Sequence, residues 1–284
     1  MPRAQFPHKI LWLASYPKSG NTWFRAFLTA LLNDGHVDIN NMDSDGIFSS
    51  RYTFDLVSEI ESRDLYDEEA KLMVADVYRQ LAADREALTI VKVHDAFEAD
   101  TEGQDLIPGD ATHCAIYFIR NPLDIVGSLA NHMHFSMDEA VQMLGDKAAC
   151  MAPQAGNLNK NMQFTQHLSD WAGHVNSWTI KPSFPVCVIR YEDMLVDTFA
   201  TFSGALSFIG WQYTDEQIST AIAATNFDQL SAQEAKKGFK EKARKSERFF
   251  RSGTMGNWHK ELTAEQVNKI LLLNKDLMEK YKYA

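Results

Sequence analysis

Residues 9–35 of the chain read KILWLASYPKSGNTWFRAFLTALLNDG. Residues 9–15 form a short apolar run of strand length, and the apolar residues of 22–32 recur with the period of a buried helix, about 3.6 residues per turn. The sequence YPKSGN joins the two, and Asn-Asp-Gly at 33–35 closes the helix. The stretch therefore predicts a strand, a tight glycine loop and a buried helix in succession.

The same alternation of apolar runs and helical patterns continues along the chain. Continuous apolar strands between helices are typical of a parallel sheet covered on both faces. The pattern predicts an α/β protein with a three-layer fold, a central parallel sheet flanked by helices, in which residues 1–284 form one domain. Further strands are predicted at 88–93, 112–119 and 186–190, and further helices at 66–85, 123–133, 136–145, 168–180, 194–209, 214–224 and 263–281.

Three segments lack these patterns. Residues 36–64 are polar, with Asp and Ser clusters, and predict an irregular surface excursion. Residues 146–162 contain Ala, Gly, Asn and Pro and predict a mobile loop. Residues 233–253 are rich in Lys, Arg and Glu with few apolar residues, and predict a flexible flap.

The composition restricts the class of protein. The chain carries 28 Lys and Arg against 38 Asp and Glu, a net charge of −10, which argues against a nucleic-acid-binding protein. We identify no signal peptide, and no apolar run approaches the roughly 18 residues that span a membrane. The three cysteines form no CxxC pair, which favours free thiols in a reducing compartment. We expect a soluble, cytoplasmic protein.

The loop at 16–21 has the features of a phosphate site. It lies where a strand passes into a helix, so backbone N–H groups and the positive end of the helix dipole face one small space. Gly20 lets the backbone approach an anion, Lys18 supplies a cation, and Ser19 and Thr22 supply hydroxyls. The Walker A pattern GxxxxGK[ST] is absent. A glycine after a strand often marks only a tight turn, but these side chains together favour an anion site.

A second candidate for phosphate binding is RNPLDIVGS, residues 120–128. Arg120 follows a predicted strand, where ligands bind in open α/β sheets, and Ser128 lies about two turns into the next helix. A guanidinium matches phosphate oxygens as a fork. Taken alone, Arg120 is slightly better explained as a structural residue at the sheet edge.

A candidate base follows the strand at 88–93. Alternation along a strand places Lys92 and His94 on the same side. A histidine is a plausible general base because its ordinary pKa lies near neutrality, although a lone histidine is more often structural. The other histidines show no metal-ligand spacing such as HExxH, so we predict no metal.

A fourth motif, RSGTMGNW at 251–258, follows the basic stretch. Its arginine and two glycines suit a loop that closes over an anion, whereas its composition alone favours a solvated charged loop.

In this order, YPKSGNTW, KVH, IRNPLDIVGS and RSGTMGNW resemble the motifs of the sulfotransferases that use 3′-phosphoadenosine-5′-phosphosulfate (PAPS). RYEDM at 190–194 and WAGHVNSW at 171–178 are also similar to segments of that family, so the resemblance covers nearly the whole chain. It implies a P-loop-like fold and transfer of a sulfuryl group from PAPS to a hydroxyl or amine of a small acceptor. The desulfated product is 3′-phosphoadenosine-5′-phosphate (PAP), and no metal is required.

The resemblance also implies a role for each matching residue. These roles are the 5′-phosphosulfate site for Lys18, Ser19, Gly20, Asn21 and Thr22; the adenine site for Trp23, Phe227 and Tyr191; the 3′-phosphate site for Arg120, Ser128, Arg251 and Gly253, with Ser252 binding the donor between the last two; and catalysis for His94 as general base, Lys92 in orienting the sulfuryl group and Lys18 in neutralising the leaving phosphate.

The sequence departs from the family pattern around the acceptor. Asp95-Ala96 stands where Leu-Pro often follows the histidine, Asn257 replaces a common aspartate, and the dimerisation signature is poorly kept at 259–268, so a homodimer is left open. Residues 36–64, 95–108 and 134–165 are the predicted acceptor walls; with Phe48, Tyr52, Phe97, Phe135 and Met137 they favour a small, partly apolar alcohol or phenol.

Two other functions stay open at this point. A nucleotide kinase of the same fold needs the Walker A loop that the chain lacks. A non-catalytic PAP-binding protein has no need of both Lys18 and His94, and the presence of both argues against it.

Overall fold

The computed structural model of the chain describes residues 9–153, 162–243 and 246–283. Short 3₁₀ turns lie at Ser62–Asp64 and Gly109–Ala111. The other elements, in chain order, are β1 (Ile10–Ser15), α1 (Asn21–Leu32), α2 (Arg51–Ser58), α3 (Asp67–Ala83), β2 (Thr89–Val93), β3 (Thr112–Ile119), α4 (Pro122–Met133), α5 (Met137–Leu144), β4 (Cys150–Met151), β5 (Gln166–His167), α6 (Trp171–Ile180), β6 (Val186–Arg190), α7 (Tyr191–Val196), α8 (Thr198–Ile209), α9 (Asp215–Ala224), α10 (Phe227–Lys237), α11 (Trp258–Glu261) and α12 (Ala264–Lys280).

A parallel sheet of 4 strands in the order β2-β1-β3-β6 forms the middle layer. Successive side chains of a strand point to opposite faces, so Trp12 packs into one core while Leu11 and Leu13 pack into the other. Helices α3, α4, α5, α6 and α12 cover the Trp12 face, and α1, α7, α8 and α9 cover the opposite face. The predicted three-layer α/β fold is confirmed.

Four predicted strands and most predicted helices are confirmed within a few residues. The predicted strand 112–119 matches β3 at both ends. The predicted helix 194–209 is two helices, because the carboxylate of Asp197 caps a new helix by accepting from Ala200 N at 2.9 Å. The predicted helix 168–180 begins at Trp171, after the cap residue Asp170.

The prediction of an irregular excursion at 36–64 is wrong for residues Arg51–Ser58, which form α2. Ser50 caps this helix by accepting from Thr53 N at 3.1 Å, and Phe54 packs in the core while Tyr52 stays exposed. The predicted loop at 146–162 includes β4, which pairs with β5; its residues 154–161 lie outside the described part of the chain.

The predicted flap at 233–253 is only partly right. Its first residues, 233–237, complete α10, which Asn226 caps by accepting from Gln229 N. The remainder, described at 238–243 and 246–253 and called the strap below, contains no regular element. It is nevertheless packed: Phe239, Phe249 and Phe250 contact one another with ring centroids 4.7–5.7 Å apart.

Candidate active site

A cleft of about 750 Å³ opens beside the loops that follow β1, β2 and β3. This is the edge where parallel α/β sheets bind ligands. Every site residue predicted from the sequence lines this one cleft: Lys18, Ser19, Gly20, Asn21, Thr22, Trp23, Lys92, His94, Arg120, Ser128, Tyr191, Phe227, Arg251, Ser252 and Gly253.

The loop between β1 and α1 adopts an unusual backbone conformation. Gly20 has φ +105°, and a Cβ there would lie 2.9 Å from the Tyr191 ring. Lys18 has φ 70°, a left-handed value that is uncommon outside glycine and that clusters at ligand sites. The loop leads into α1, whose first N–H groups have no acceptor within the helix. It therefore presents amides and the positive end of a helix dipole to the cleft.

Five buried polar atoms in and around this loop have no hydrogen-bond partner within the described residues: Tyr16 OH, Ser19 Oγ, Asn21 Oδ1, Trp23 Nε1 and Arg120 Nε. Because buried polar groups are almost always paired, such atoms in a cleft fit a polar ligand. The Asn21 side-chain N–H donates to Leu13 O at 2.7 Å and thereby holds the loop on β1, while its Oδ1 has no partner within the described residues. Its predicted contact with the donor can come from its backbone N–H.

Arg120 connects the loop, the strap region and α7. Its Nη1 donates to Lys18 O at 3.0 Å, its Nη2 lies 3.4 Å from Thr254 O, and its guanidinium lies 4.3 Å from the centroid of the Tyr191 ring. Arg120 follows β3 directly, as the sequence predicts, and Asn121 caps α4 with Pro122 in its first turn. A guanidinium fixed in this way is preorganised for an anion.

Arg251 is held by a residue that the sequence did not single out. Its Nη1 and Nη2 donate to the two carboxylate oxygens of Glu261 at 2.6 and 3.1 Å. The pair packs on α4 at Gly127, where a Cβ would lie 2.0 Å from Glu261 Oε2 and 2.9 Å from Arg251 Nη2. The glycine therefore lets the arginine approach α4 next to Ser128.

Gly253 and Phe227 are in direct contact at the other wall of the cleft. Gly253 has φ +63°, and a Cβ there would lie 2.3 Å from the Phe227 ring. Elsewhere in the cleft, the Trp23 ring packs edge-on against Tyr191 and Phe202. The structure thus brings Trp23 and Phe227, the two predicted adenine contacts, into the same cleft.

Lys18 carries a readily titrated amine. Burial, and then the positive charges of Lys92 and Arg120, lower the pKa of Lys18 to about 7. Its Nζ lies 3.7 Å from the centroid of the Phe249 ring, a cation–π contact with the strap. An anion bound in the cleft would favour its charged form.

The His94 imidazole is fixed in one tautomer by its surroundings. Its Nδ1 lies 2.8 Å from Ser15 O, and because a carbonyl only accepts, Nδ1 carries the proton and Nε2 carries the lone pair. Within the described residues no partner of Nε2 is found, and His94 lines the cleft. Burial, and then the charge of Lys92, lower the pKa of His94 well below its usual range. The imidazole is therefore neutral at physiological pH.

The backbone beside His94 is fixed by α6, the WAGHVNSW helix. His174 Nε2 donates to His94 O at 2.9 Å, and Trp178 Nε1 donates to Asp95 O at 2.9 Å. Tyr117 OH donates to His174 Nδ1 at 2.9 Å, which completes the pairing of that buried imidazole. The helix therefore holds the backbone of the segment that carries His94.

Lys92 and His94 both line the cleft, as strand alternation predicts. Lys92 Nζ lies 3.0 Å from Glu241 Oε2, and Glu241 also pairs with Arg25 at 2.9 Å. Neither Arg25 nor Glu241 was predicted. An arginine in the otherwise apolar helix 22–32 is a signal that could have identified the first, whereas Glu241 lies in a run of charged residues and has no distinguishing pattern.

The end of the cleft nearest His94 differs from the predicted acceptor walls. Residues 36–64 contribute Met42, Ser44, Gly46 and Ile47, and 134–165 contribute Met151 and Gln163, but no residue of 95–108 lines it. None of the five side chains named from the sequence faces the cleft, because Phe48 and Phe97 are buried in the core, Tyr52 is exposed, and Phe135 and Met137 pack against the core. His132, whose pKa burial and the nearby lysines lower to about 3, lines the same end.

The structure also shows whether the described residues could hold a metal ion or cross a membrane. Among the residues that the structure describes, no group of three or more His, Cys, Asp and Glu is placed to hold a metal ion. Across the same residues, no helix is both long enough and apolar enough to cross a bilayer.

The family of the chain follows from comparison with known proteins. The sequence profile of the sulfotransferase domain matches residues 8–282, and the chain belongs to that family. Its activity is that of a sulfotransferase, which decides against the nucleotide-kinase alternative.

Curated relatives are similar over most of their length. Flavonol 3-sulfotransferase of Flaveria bidentis is 25% identical over 278 residues, which are 92% of this chain and 78% of that protein. Cytosolic sulfotransferase 17 of Arabidopsis thaliana is 23% identical over 274 residues, which are 91% of this chain and 71% of that protein.

Solved structures share the fold. Mouse sulfotransferase SULT7A1, complexed with PAP, superimposes with a TM-score of 0.59 at 18% identity, over 97% of this chain and 87% of that one. Retinol dehydratase in a complex with retinol and PAP gives a TM-score of 0.60 at 18% identity, over 97% of this chain and 83% of that one.

Proposed function

We propose that this sulfotransferase takes its sulfuryl group from PAPS and transfers it to the hydroxyl of a small acceptor, with His94 as the general base. The observation that carries the proposal is that one cleft gathers all the predicted donor residues, together with unpartnered buried polar atoms at Ser19, Trp23 and Arg120. PAP in the solved structures of the same fold supports this choice of donor.

The donor fits the cleft in three parts. The loop amides, Lys18 and Ser19 would bind the 5′-phosphosulfate, because they combine a helix N-terminus, a cation and an unpartnered hydroxyl. Trp23 and Phe227 would enclose the adenine beside Tyr191. Arg120, Ser128 and the backbone and side chains of 251–253 would bind the 3′-phosphate, the group that distinguishes this donor from AMP-type nucleotides.

In the transfer step, His94 Nε2 accepts the proton of the acceptor hydroxyl while that oxygen forms a bond to sulfur. The bond between sulfur and the bridging phosphate oxygen breaks, and the leaving phosphate keeps the electron pair. Lys18 and the loop amides neutralise the charge that develops on this phosphate. Lys92 orients the sulfuryl oxygens. These residues account for each charge and each proton of the step.

The acceptor end of the cleft favours a small, partly apolar hydroxyl compound. Met42, Ile47 and Met151 supply apolar surface, and Ser44 and Gln163 supply polar groups. The flavonol and retinol named for two similar proteins are molecules of this kind. Several relatives are named cytosolic sulfotransferases, which supports a cytoplasmic location. Residues from Pro17 to Gly253 line one cleft, which supports one domain.

The experiment that tests this function measures transfer from radiolabelled PAPS, without added metal, to a panel of phenols, aliphatic alcohols, amines and polysaccharides. We expect turnover with small hydroxyl compounds. His94→Gln keeps a neutral polar side chain, so it should lower kcat by about 10²- to 10⁴-fold while PAP affinity stays unchanged. Turnover confined to polysaccharides would overturn the acceptor class, and full activity of His94→Gln would overturn the base.

A further inference from the structure

A carboxylate reaches the reaction end of the cleft, although no step proposed above uses one. Glu241, on the strap, lines the cleft together with Lys18, Lys92 and His94. Its Oε1 lies 2.9 Å from Arg25 Nη2, and its Oε2 accepts from Arg25 Nη1 and from Lys92 Nζ, each at 3.0 Å. The position of a charged group so close to the base calls for a function.

The three paired side chains come from three separate elements. Arg25 is on α1, which begins at the phosphate loop, Lys92 is on β2, which leads to His94, and Glu241 is on the strap. All three are largely buried, with side-chain exposures of 6%, 14% and 20%. Within the described residues no other carboxylate pairs with Arg25 or Lys92. Glu241 is therefore the shared counterion of two buried cations.

Lys92 would be in an unfavourable environment without this carboxylate. Within the described part of the chain, its other charged or titratable neighbours are Arg25, Lys18, His94 and His132, of which none carries a negative charge. Burial lowers the pKa of Lys92, Glu241 opposes that change, and Arg25 adds to it. Burial alone would raise the pKa of Glu241, but the charges of Lys92 and Arg25 bring it below its usual value. The carboxylate therefore favours the charged form of Lys92, and the two cations favour the charged form of Glu241.

The strap is anchored on both sides of Glu241. Lys240 N donates to Asn40 Oδ1 at 2.7 Å, and the carboxylate of Glu234 accepts from Phe249 N and Phe250 N at 2.7 and 2.9 Å. The same strap ends at residues 251–253, which line the proposed 3′-phosphate site. The strap therefore carries both Glu241 and residues of the proposed 3′-phosphate site.

We propose that Glu241 is a positioning residue for sulfuryl transfer: from the strap, it holds the charged Lys92 side chain at the reaction centre. The proposal rests on the function proposed above, in which Lys92 orients the sulfuryl group. A residue that only fastened the strap would act on donor affinity at every pH. A residue that keeps Lys92 charged acts on kcat, and most strongly where Lys92 would otherwise lose its proton.

The first test is an NMR titration of ¹³C-lysine-labelled protein, in which the Lys92 Cε signal is assigned by its loss in Lys92→Arg. In Glu241→Gln we expect the midpoint of the Lys92 titration to fall by about one pH unit or more, a tenfold change in proton affinity. Glu247→Gln is the matched control, because it makes the same change at an exposed residue of the strap. An unchanged midpoint in Glu241→Gln would overturn the proposal.

The second test follows kcat against pH with donor and acceptor both saturating. Between the lowered Lys92 midpoint and the wild-type midpoint, kcat of Glu241→Gln should fall about tenfold per pH unit relative to the wild type, and below the lowered midpoint the two should converge. Glu241→Asp should restore part of the loss, and it also serves if the glutamine variant does not fold. A loss of kcat that is the same at every pH, together with a raised KM for the donor, would instead show that Glu241 only fastens the strap. The NMR titration needs no substrate, so it stands even if the proposed donor is wrong.

Discussion

The protonation of the Lys18 amine gives the most direct measurement of how the donor binds. Its amine, with a pKa lowered to about 7 by burial and by the neighbouring cations, is largely neutral above that pH in the free protein. A bound phosphate favours the charged form, so PAP binding at higher pH must be accompanied by uptake of a proton. The affinity for PAP is then lost as pH rises through the pKa of the free protein.

We therefore expect the PAP dissociation constant to rise up to about tenfold per pH unit above pH 7, with nearly one proton taken up per PAP at pH 8. Calorimetry in two buffers of different ionisation enthalpy measures that uptake. Lys18→Arg, which stays charged, should bind without it. Equal proton uptake in Lys18→Arg and wild type would assign the titration to another group.

Gly253 tests the adenine wall at the same scale. A Cβ there would lie 2.3 Å from the Phe227 ring, so Gly253→Ala should displace that ring and weaken AMP, which lacks the 3′-phosphate, by about 1–3 kcal/mol, and PAP by at least as much. Gly103→Ala is the matched control, because Gly103 also has a positive φ but has no atom within 4 Å of its Cβ position. Equal nucleotide affinity in the two variants would show that the Phe227 ring is not in contact with the adenine of the bound nucleotide.

Individual site residues show which parts of the cleft the sequence predicts and which parts depend on the tertiary fold. The strand-loop-helix pattern at 9–35 and the motifs at 92–94, 120–128 and 251–258 carry local signals for their site residues, whereas Tyr191 and Phe227 come only from the resemblance to a known family. All of these site residues line the cleft. Glu241 lies 216 residues along the chain from its partner Arg25 and 149 residues from its partner Lys92. Glu261 lies 10 residues from its partner Arg251. Only the tertiary fold brings such partners together. The side chains predicted for the acceptor walls are wrong for a similar reason, because only the tertiary fold shows that Phe48 and Phe97 pack into the core.

At the scale of elements, α4 and the segment after the strap form one unit around the proposed 3′-phosphate site. Asp124 accepts from Gly256 N at 2.8 Å and from Trp258 N at 3.2 Å, which fastens α11 to the start of α4. α11 supplies Glu261, and Gly127 leaves the space in which Glu261 meets Arg251. The glycine of the RNPLDIVGS motif thus has a packing function of its own.

Gly127→Ala should expel the Arg251–Glu261 pair and weaken PAP binding by about 1–2 kcal/mol, roughly tenfold, with little effect on AMP. The control is Gly204→Ala in α8, where a Cβ meets no atom within 4 Å and alanine should raise helix stability by about 0.5–1 kcal/mol. Titration calorimetry and thermal unfolding of both variants separate the two effects. Unchanged PAP affinity in Gly127→Ala would remove Arg251 from the 3′-phosphate site.

At the scale of the whole molecule, the arrangement explains how an acidic protein binds a highly charged nucleotide. The net charge is −10, yet the cleft collects Lys18, Arg25, Lys92, Arg120 and Arg251. Concentrating cations at one edge of the sheet separates solubility from ligand recognition. The homodimer considered from the sequence stays a prediction, which sedimentation of the purified chain measures.

The central claim is that the cleft recognises the 3′-phosphate of PAP, and a calorimetric titration with PAP and with AMP, without added metal, tests it most directly. We predict that wild type binds PAP far more tightly than AMP. Arg120→Ala should lose about 2 kcal/mol of that preference, roughly thirtyfold, whereas Arg190→Ala, a control at the end of β6 outside the cleft lining, should keep it. If PAP binds no better than AMP, or if ATP with Mg²⁺ binds best, the proposed donor is contradicted.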